Sequence, residues 1–429
     1  MAAGNRTPEQ IRLGRLAVDA ANRSAALATE RERGYIAAVS QLYSNAEQLN
    51  QGTRIVAYER AMEDLVAKQP ADTEAKIFYA ISLAASASPS DKTYANQKKA
   101  GNILEPLWVK QPDHPGLAHY IIHTYDYPAL ASKGSAAART YASIAPSAAH
   151  ALHMPSHIFT RTGRWRESID TNLRSVDVAS KSASIAEALH ALDYAEYGYL
   201  QLRRYPEAKR ILDKLPSLEA RFDVNAITGA APGSAGVFAL AAIPARYALE
   251  RDAWAEAASL VVKPSGFPWA EAMTYFSHAL GTSHTGDFAK ARSAIDSLAA
   301  IRDRLVKRGE PYWAEQVGIQ TLGAAAWLDF SEGRTDSAFS RMRQAVSRED
   351  ATEKNAVTPG PLAPARELLG DMLMRMHRPA EALVEYQRTL EKEPNRYRSL
   401  AGGMRAAKEA RDSKAEKIFR TKLNALGVR

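Results

Sequence analysis

Six of the ten histidines in this 429-residue chain fall between positions 114 and 157: His114, His119, His123, His150, His153 and His157. They arrive in two blocks, HPGLAHYIIHTYDYP and APSAAHALHMPSHIFTRTGRW. His119 and His123 make one HxxxH pair; His153 and His157 make a second, each 34 residues after its counterpart. On a helix of 3.6 residues per turn, positions i, i+4 and i+7 share an arc of about 60°. Each pair therefore sets two imidazoles on one helix face. A separation of 34 residues is the period of a helix–turn–helix repeat that stacks into a solenoid. Neighbouring helices in such a stack pack roughly 8–10 Å apart, close enough for imidazoles on both to reach one ion.

Imidazole and carboxylate donors suit a divalent transition metal: Zn, Cu, Fe, Ni or Mn. The chain has no cysteine, so thiolate nucleophiles, disulfides and closed Cys-based zinc sites are excluded. Three protein ligands with an open position would lower the pKa of a bound water, whereas two histidines and a carboxylate would resemble a non-haem iron site. The residues leave that choice, and whether the protein is an enzyme, open. There is no HExxH, no phosphate-cradling glycine loop, no GxSxG elbow and no dinucleotide fingerprint, which argues against nucleotide-dependent chemistry. The formal net charge is +8. The basic residues are scattered among acids, so they read as solvated faces and no nucleic-acid partner is expected. No run approaches the about 18 apolar residues of a membrane helix.

The elements that must position these histidines read as helices throughout. Residues 8 to 49 form two, with a break near Ala28–Glu30. In TRIVAYERAMEDLVAKQ the larger apolar residues Ile55, Tyr58, Met62 and Leu65 recur at helical spacing, and Pro70 stops the run. Asp72 and Thr73 offer a cap to EAKIFYAISLAASA, and SPSDKT interrupts before NQKKAGNILEPLWVKQ. Beyond the histidines a pattern returns: Gly163, Trp165 and Ser168; Tyr205, Pro206 and Ala208; Gly286, Phe288 and Ala291; Gly333 and Ala338; then RPAEALVEYQRTLEKEP. A last helix pair runs from Tyr397 to Leu426. Two loops, NAITGAAPGSAG and NAVTPGPLAP, are long enough to be functional or mobile. Trp165, Trp254, Trp313 and Trp327 sit among apolar neighbours and read as core.

On these motifs the chain resembles the tetratricopeptide-repeat (TPR) proteins along most of its length. The two histidine blocks, with HALDYAEYGYLQL and EDATEKNAVTPGPLAPARELLGDML, resemble more narrowly a little-characterised bacterial group of that family. The resemblance implies an all-α, right-handed α-solenoid of TPR-like helix pairs. N-terminal repeats would occupy 1–112, histidine-rich central repeats 113–220 and C-terminal repeats 221–429, in one continuous solenoid. Members of the group tend to begin with an export signal and a further repeat. The start MAAGNRTPEQ shows neither; a truncated N-terminus would mean a periplasmic or secreted protein, and the compartment stays open.

In such repeats, positions 2, 5, 9 and 12 of each first helix face a concave groove. The resemblance thereby places His119, His123 and Asp126 in one repeat, His150, His153 and His157 in the next, and His190, Asp193 and Tyr197 in the one after. His119, His123, His153 and His157 are the expected metal ligands, with Asp126, His150, His190 and Asp193 accessory. Tyr197, Glu367 and Asp371 are candidate ligand-binding positions in the groove. Pro155 removes a backbone donor between His153 and His157 and either spreads the pair or aims it. The expected function is a metal-bearing groove for a peptide or small molecule. The alternative is a non-catalytic scaffold that holds a partner's peptide, its histidines serving only as hydrogen-bonding groups.

Overall fold

The structure is a computed structural model that describes residues 8–88 and 90–428. The first seven residues of MAAGNRTPEQ and Pro89 of SPSDKT lie outside the described residues. Among the described residues the regular structure is helical, with no strand. None of the helices is long and apolar enough to cross a membrane. The chain divides into two compact units, one ending at Ile144 and one running from Ala145 onward.

The first unit contains α1 (Pro8–Ser24), α2 (Glu30–Gln41), α3 (Gln51–Lys68), α4 (Thr73–Ser86), α5 (Ala95–Lys110), α6 (Pro115–Tyr125) and α7 (Ser135–Ile144). Consecutive helices from α2 to α7 pack on one another. Their ends are set by side-chain caps that satisfy otherwise orphaned N–H groups. Asn50 accepts from the Thr53 N–H at 2.9 Å, and Asp72 from the Ala75 N–H at 3.1 Å. His114 does the same for α6, its Nδ1 accepting from the Leu117 N–H at 3.3 Å, with Pro115 in the first helical position. His114 is therefore accounted for as a cap. Of the expected α3 stripe, Met62 and Leu65 are buried and Ile55 and Tyr58 half-buried.

The second unit contains α8 (Ala149–His153), α9 (Pro155–Arg161), α10 (Trp165–Lys181), α11 (Ile185–Gln201), α12 (Tyr205–Glu219), α13 (Gly233–Leu249), α14 (Trp254–Ser259) and α15 (Pro268–Thr285). It continues with α16 (Phe288–Lys307), α17 (Pro311–Ser331), α18 (Thr335–Ala351), α19 (Ala365–Arg375), α20 (Pro379–Lys392), α21 (Tyr397–Glu409) and α22 (Ser413–Leu426). With α8 and α9 counted as one broken helix, these form helix pairs. From α11 to α21, each first helix packs on its own second helix, on the preceding second helix and on the next first helix.

One backbone device repeats through all of them. Gly163, Arg203, Asp252, Gly286, Gly333, His377 and Arg411 each adopt a positive φ at the turn inside a pair. Two residues later the second helix begins, at Trp165, Tyr205, Trp254, Phe288, Thr335, Pro379 and Ser413. Three residues further, in the first six pairs, comes a fully buried small residue: Ser168, Ala208, Ala257, Ala291, Ala338 or Ala382. A left-handed residue stops the first helix, and a small one lets the two axes close.

Within this unit the chain also returns on itself. The segment leading into α21 crosses the turns of the first three pairs. Trp165 Nε1–H donates to the Asn395 carbonyl at 2.9 Å, and the Tyr397 N–H donates to Gln201 Oε1 at 2.9 Å. Arg396 pairs with Glu250 at 2.6 Å and Glu367 at 2.8 Å, all three buried. Gly163 is required here twice over. Its φ is +65°, and a Cβ would stand 2.2 Å from the Pro394 carbonyl oxygen. The expected NAITGAAPGSAG loop is shorter than its composition suggests. Helix α13 begins at Gly233, and Gly236 lies inside it because the Phe222 ring packs where a Cβ would sit.

The centre of the second unit is α11, in which all seventeen residues are buried. A helix covered on every side is a core helix. It is enclosed by α10, α12, α13 and the α8–α9 pair. The polar residues it carries are consequently held away from water.

Candidate metal centre

Helix α8 ends at His153 and α9 starts at Pro155 because proline cannot donate to the preceding turn. The break does not spread the histidines. The His153 and His157 ring centroids are 5.0 Å apart at 83°, and their Nε2 atoms 3.1 Å apart. From α11, His190 comes in opposite, its ring centroid 4.3 Å from that of His153 and 6.4 Å from that of His157. One ring nitrogen from each of the three lies within 4.8 Å of the others, and all three residues are buried. A tetrahedral ion bound at about 2.1 Å holds its nitrogens roughly 3.4 Å apart. The His153–His157 pair already has nearly that spacing.

Hydrogen bonding fixes which nitrogen of His153 is free to ligate. Asn172 of α10 donates through Nδ2 to the Ser168 carbonyl at 2.7 Å, so its Oδ1 is an acceptor. His153 Nδ1 lies 2.7 Å from that oxygen and must donate to it. In neutral His153 the lone pair is then on Nε2, facing His157. An outer partner that sets the tautomer in this way is the usual companion of a metal-bound histidine. His190 Nδ1 is buried and has no hydrogen-bond partner. An unsatisfied buried nitrogen is costly unless something supplies its missing contact.

Burial holds the His153 and His190 imidazoles well below the ordinary histidine range, and the neighbouring histidines push in the same direction. The positive charge of Lys354 adds to this at His190 and would also oppose a bound cation. His150, on α8 with its ring 6.3 Å from that of His153, is pushed down to about 4 by burial and by His157. Around neutral pH these imidazoles carry lone pairs, the form a metal requires. The Tyr194 ring lies 4.8, 5.1 and 5.4 Å from those of His153, His157 and His190. Its hydroxyl donates to the carbonyls of Thr358, at 3.0 Å, and Ala356, at 3.2 Å. The NAVTPGPLAP segment is therefore a packed cover, with residues 357–360 buried.

The remaining candidates have other surroundings. Asp193 is fully buried and ion-paired to Arg246, which also stands 3.6 Å from Glu196. Burial pushes Asp193 upward and Glu196 well above the carboxylate range. The Tyr197 ring meets Trp165 edge-on at 5.3 Å, and its hydroxyl accepts from Arg396 at 3.1 Å. Glu367 is held by Arg396 and by Ser399 at 2.5 Å. Asp371 is held by Arg398 at 2.9 Å and by Tyr386 at 2.6 Å. The positions expected to line an open groove are thus largely sealed in a buried ionic network. In the first unit, His119 and His123 stand half-buried on α6 with ring centroids 4.8 Å apart. His119 stacks on Tyr120 and Tyr141, both at 5.3 Å. Asp126 follows the last residue of α6, its N–H donating to the His123 carbonyl at 3.5 Å.

Fold and site together define an all-α helical-repeat protein with a buried cluster of three histidines that could hold a metal ion. No family model and no curated protein matches the chain. Among solved structures, one similar chain is a monomeric mutant of IFIT1 with the capped RNA m7Gppp-AAAA. It is 11% identical, with a TM-score of 0.40, over 96% of this chain and 87% of that one. A likeness that low carries no argument about this protein's ligand.

Proposed function

We propose that this chain is a bacterial tetratricopeptide-repeat protein whose second unit binds one divalent transition metal through His153, His157 and His190. The observation that carries the reading is the convergence of three buried imidazoles, one with its tautomer set by Asn172 and one with an unpartnered nitrogen. Three nitrogen donors with no thiolate suit Zn²⁺ or Cu²⁺. Asp193 is committed to Arg246, which speaks for a three-histidine set over a mixed histidine–carboxylate one. The sealed surroundings support an ion that fixes the packing of α8, α9 and α11 beneath the 352–364 segment. Peptide or small-molecule recognition is then a separate property of the scaffold.

Elemental analysis of protein purified without a histidine tag tests this directly. Near-stoichiometric zinc or copper is expected in the wild type and should be absent from His157→Ala, with circular dichroism confirming that the variant is helical. A wild type that stays metal-free after incubation with Zn²⁺, Cu²⁺, Ni²⁺, Mn²⁺ and anaerobic Fe²⁺ would leave the cluster as a purely hydrogen-bonded network, His157 Nε2–H donating to His153, and sink the proposal.

A further inference from the structure

A second feature of the second unit is independent of the histidine cluster. A cavity of about 510 Å³ opens among the turns that follow α11 and α13 and the helices α12, α14, α15, α17, α19, α20 and α21. That volume lies within the range of small-molecule sites. Its lining is unusual in chemistry: five arginines (Arg203, Arg251, Arg375, Arg398 and Arg405) against three carboxylates (Glu250, Asp252 and Asp371).

The pairing of those charges decides what the cavity can hold. Glu250 is taken by Arg396, at 2.6 Å. Asp252 and Asp371 are both taken by Arg398, at 2.7 and 2.9 Å. Arg251 is engaged outside the cavity by Glu256, at 2.8 Å. Each of the three acids is thus engaged by an arginine, Asp252 and Asp371 sharing Arg398, which also stands 3.2 Å from Glu367. Arg203, Arg375 and Arg405 face the same space with no carboxylate at ion-pair distance among the described residues.

Two of these three are held in place by aromatic groups. Arg203 lies between Tyr205 and Tyr397, its Nη1 3.1 Å from the Tyr397 hydroxyl. Arg375 lies 5.0 Å from the Trp327 ring, a cation–π distance that leaves guanidinium N–H groups available. Trp327 ends a stack with His284 and Trp254, with centroid separations of 4.5 and 3.7 Å. It is buried, and its Nε1–H has no acceptor. His284 adds no positive charge near neutral pH, since burial lowers it to about 4. The wall thus presents three guanidinium groups outside any ion pair, beside acids that Arg396 and Arg398 already engage.

We infer that this cavity is a binding site for a small oxyanion of two or more charges, of the phosphate-ester or polycarboxylate class, held by Arg203, Arg375 and Arg405. Planar guanidinium groups pair bidentately with either oxyanion. A dianion also relieves the mutual repulsion of three like charges around one space.

Isothermal titration calorimetry with the whole chain, at low salt, tests the site using pyrophosphate and citrate as probes. Saturable binding of at least one is expected, weakened about tenfold or more in Arg375→Gln and in Arg405→Gln. Both residues are exposed and unpaired, so neither variant should lose its fold. Preference for pyrophosphate would assign phosphate esters, and preference for citrate polycarboxylates. Binding should be the same in chelator-treated protein, which separates this site from the metal centre. Absence of saturable heat with both probes at millimolar concentration, or heat unchanged in the Arg375→Gln/Arg405→Gln double variant, overturns the inference.

Discussion

His119 and His123 stand on α6 of the first unit, half-buried, with His119 stacked on two tyrosines, whereas His153 and His157 stand at the α8–α9 break of the second unit, buried and facing His190. The internal geometry of the two HxxxH pairs is nearly the same, with ring centroids 4.8 and 5.0 Å apart. Spacing therefore delivers adjacency in both places, even across Pro155. Three additions accompany the second pair: a buried imidazole from α11, an asparagine that fixes a tautomer, and a cover that removes water. A pair of histidines is a common product of helical periodicity. The additions come from different elements and require the fold.

The strongest way to break this contrast is to remove one histidine from each region. His190→Ala should weaken the tightly held metal by at least about 100-fold, since losing only an outer partner typically costs 10–100-fold. His119→Ala should retain it. Competition against a chromophoric chelator measures both. Equal loss in the two variants would show that the pairs act together and that the contrast drawn above is false.

Much of the fold was legible because its markers are local. Gly163, Gly286 and Gly333, with Trp165 and Phe288 two residues on and small residues three further, announce the helix pairs directly. Where Arg203, Asp252, His377 and Arg411 hold the same left-handed position, no residue type signals it, and only the register of the repeat implies it. The site was legible in part. His153 and His157 stood out by spacing, and His190 by position. Asn172 did not, because within WRESIDTNLRSVD it looks like one more polar residue on a solvated face, and its partner lies nineteen residues earlier. Arg246 and Arg396 were missed for a related reason. They pair with acids 53, 146 and 29 residues away, and no sequence spacing encodes such contacts. The groove expectation for Tyr197 and Glu367 rested on an open array. The return of Pro394–Arg398 across the early turns closes that face within the second unit.

A smaller effect sharpens the role of the cover. Glu349 accepts from the Ala365 N–H at 2.9 Å and so anchors the far end of the 352–364 segment. Burial pushes its carboxyl from near 4.5 up to about 7. A carboxyl raised by folding costs nothing below 4.5, costs progressively more between 4.5 and 7, and costs fully above 7. Glu349→Gln keeps an acceptor oxygen for Ala365 and removes the titration. The variant should gain on the order of 2 kcal/mol over the wild type at pH 8, with the gap closing toward pH 4.5. Thermal unfolding across that range reads the gap. A gap independent of pH would mean that Glu349 does not titrate under the cover.

The finest distinction is between the Tyr194 ring and its hydroxyl. The ring packs on all three imidazoles, and the hydroxyl ties the cover down through the Thr358 and Ala356 carbonyls. Tyr194→Phe keeps the first contact and removes the second. Loss of a buried donor shared by two carbonyls should cost about 1–2 kcal/mol of stability. Metal affinity should change little, because no ligand is lost, while release to a chelator should quicken as the segment opens more often. Affinity falling as far as in His190→Ala would instead make the phenol oxygen a ligand and turn the three-histidine set into a four-donor one. Unchanged release with unchanged affinity would place the exit route elsewhere and leave the 352–364 segment as packing alone.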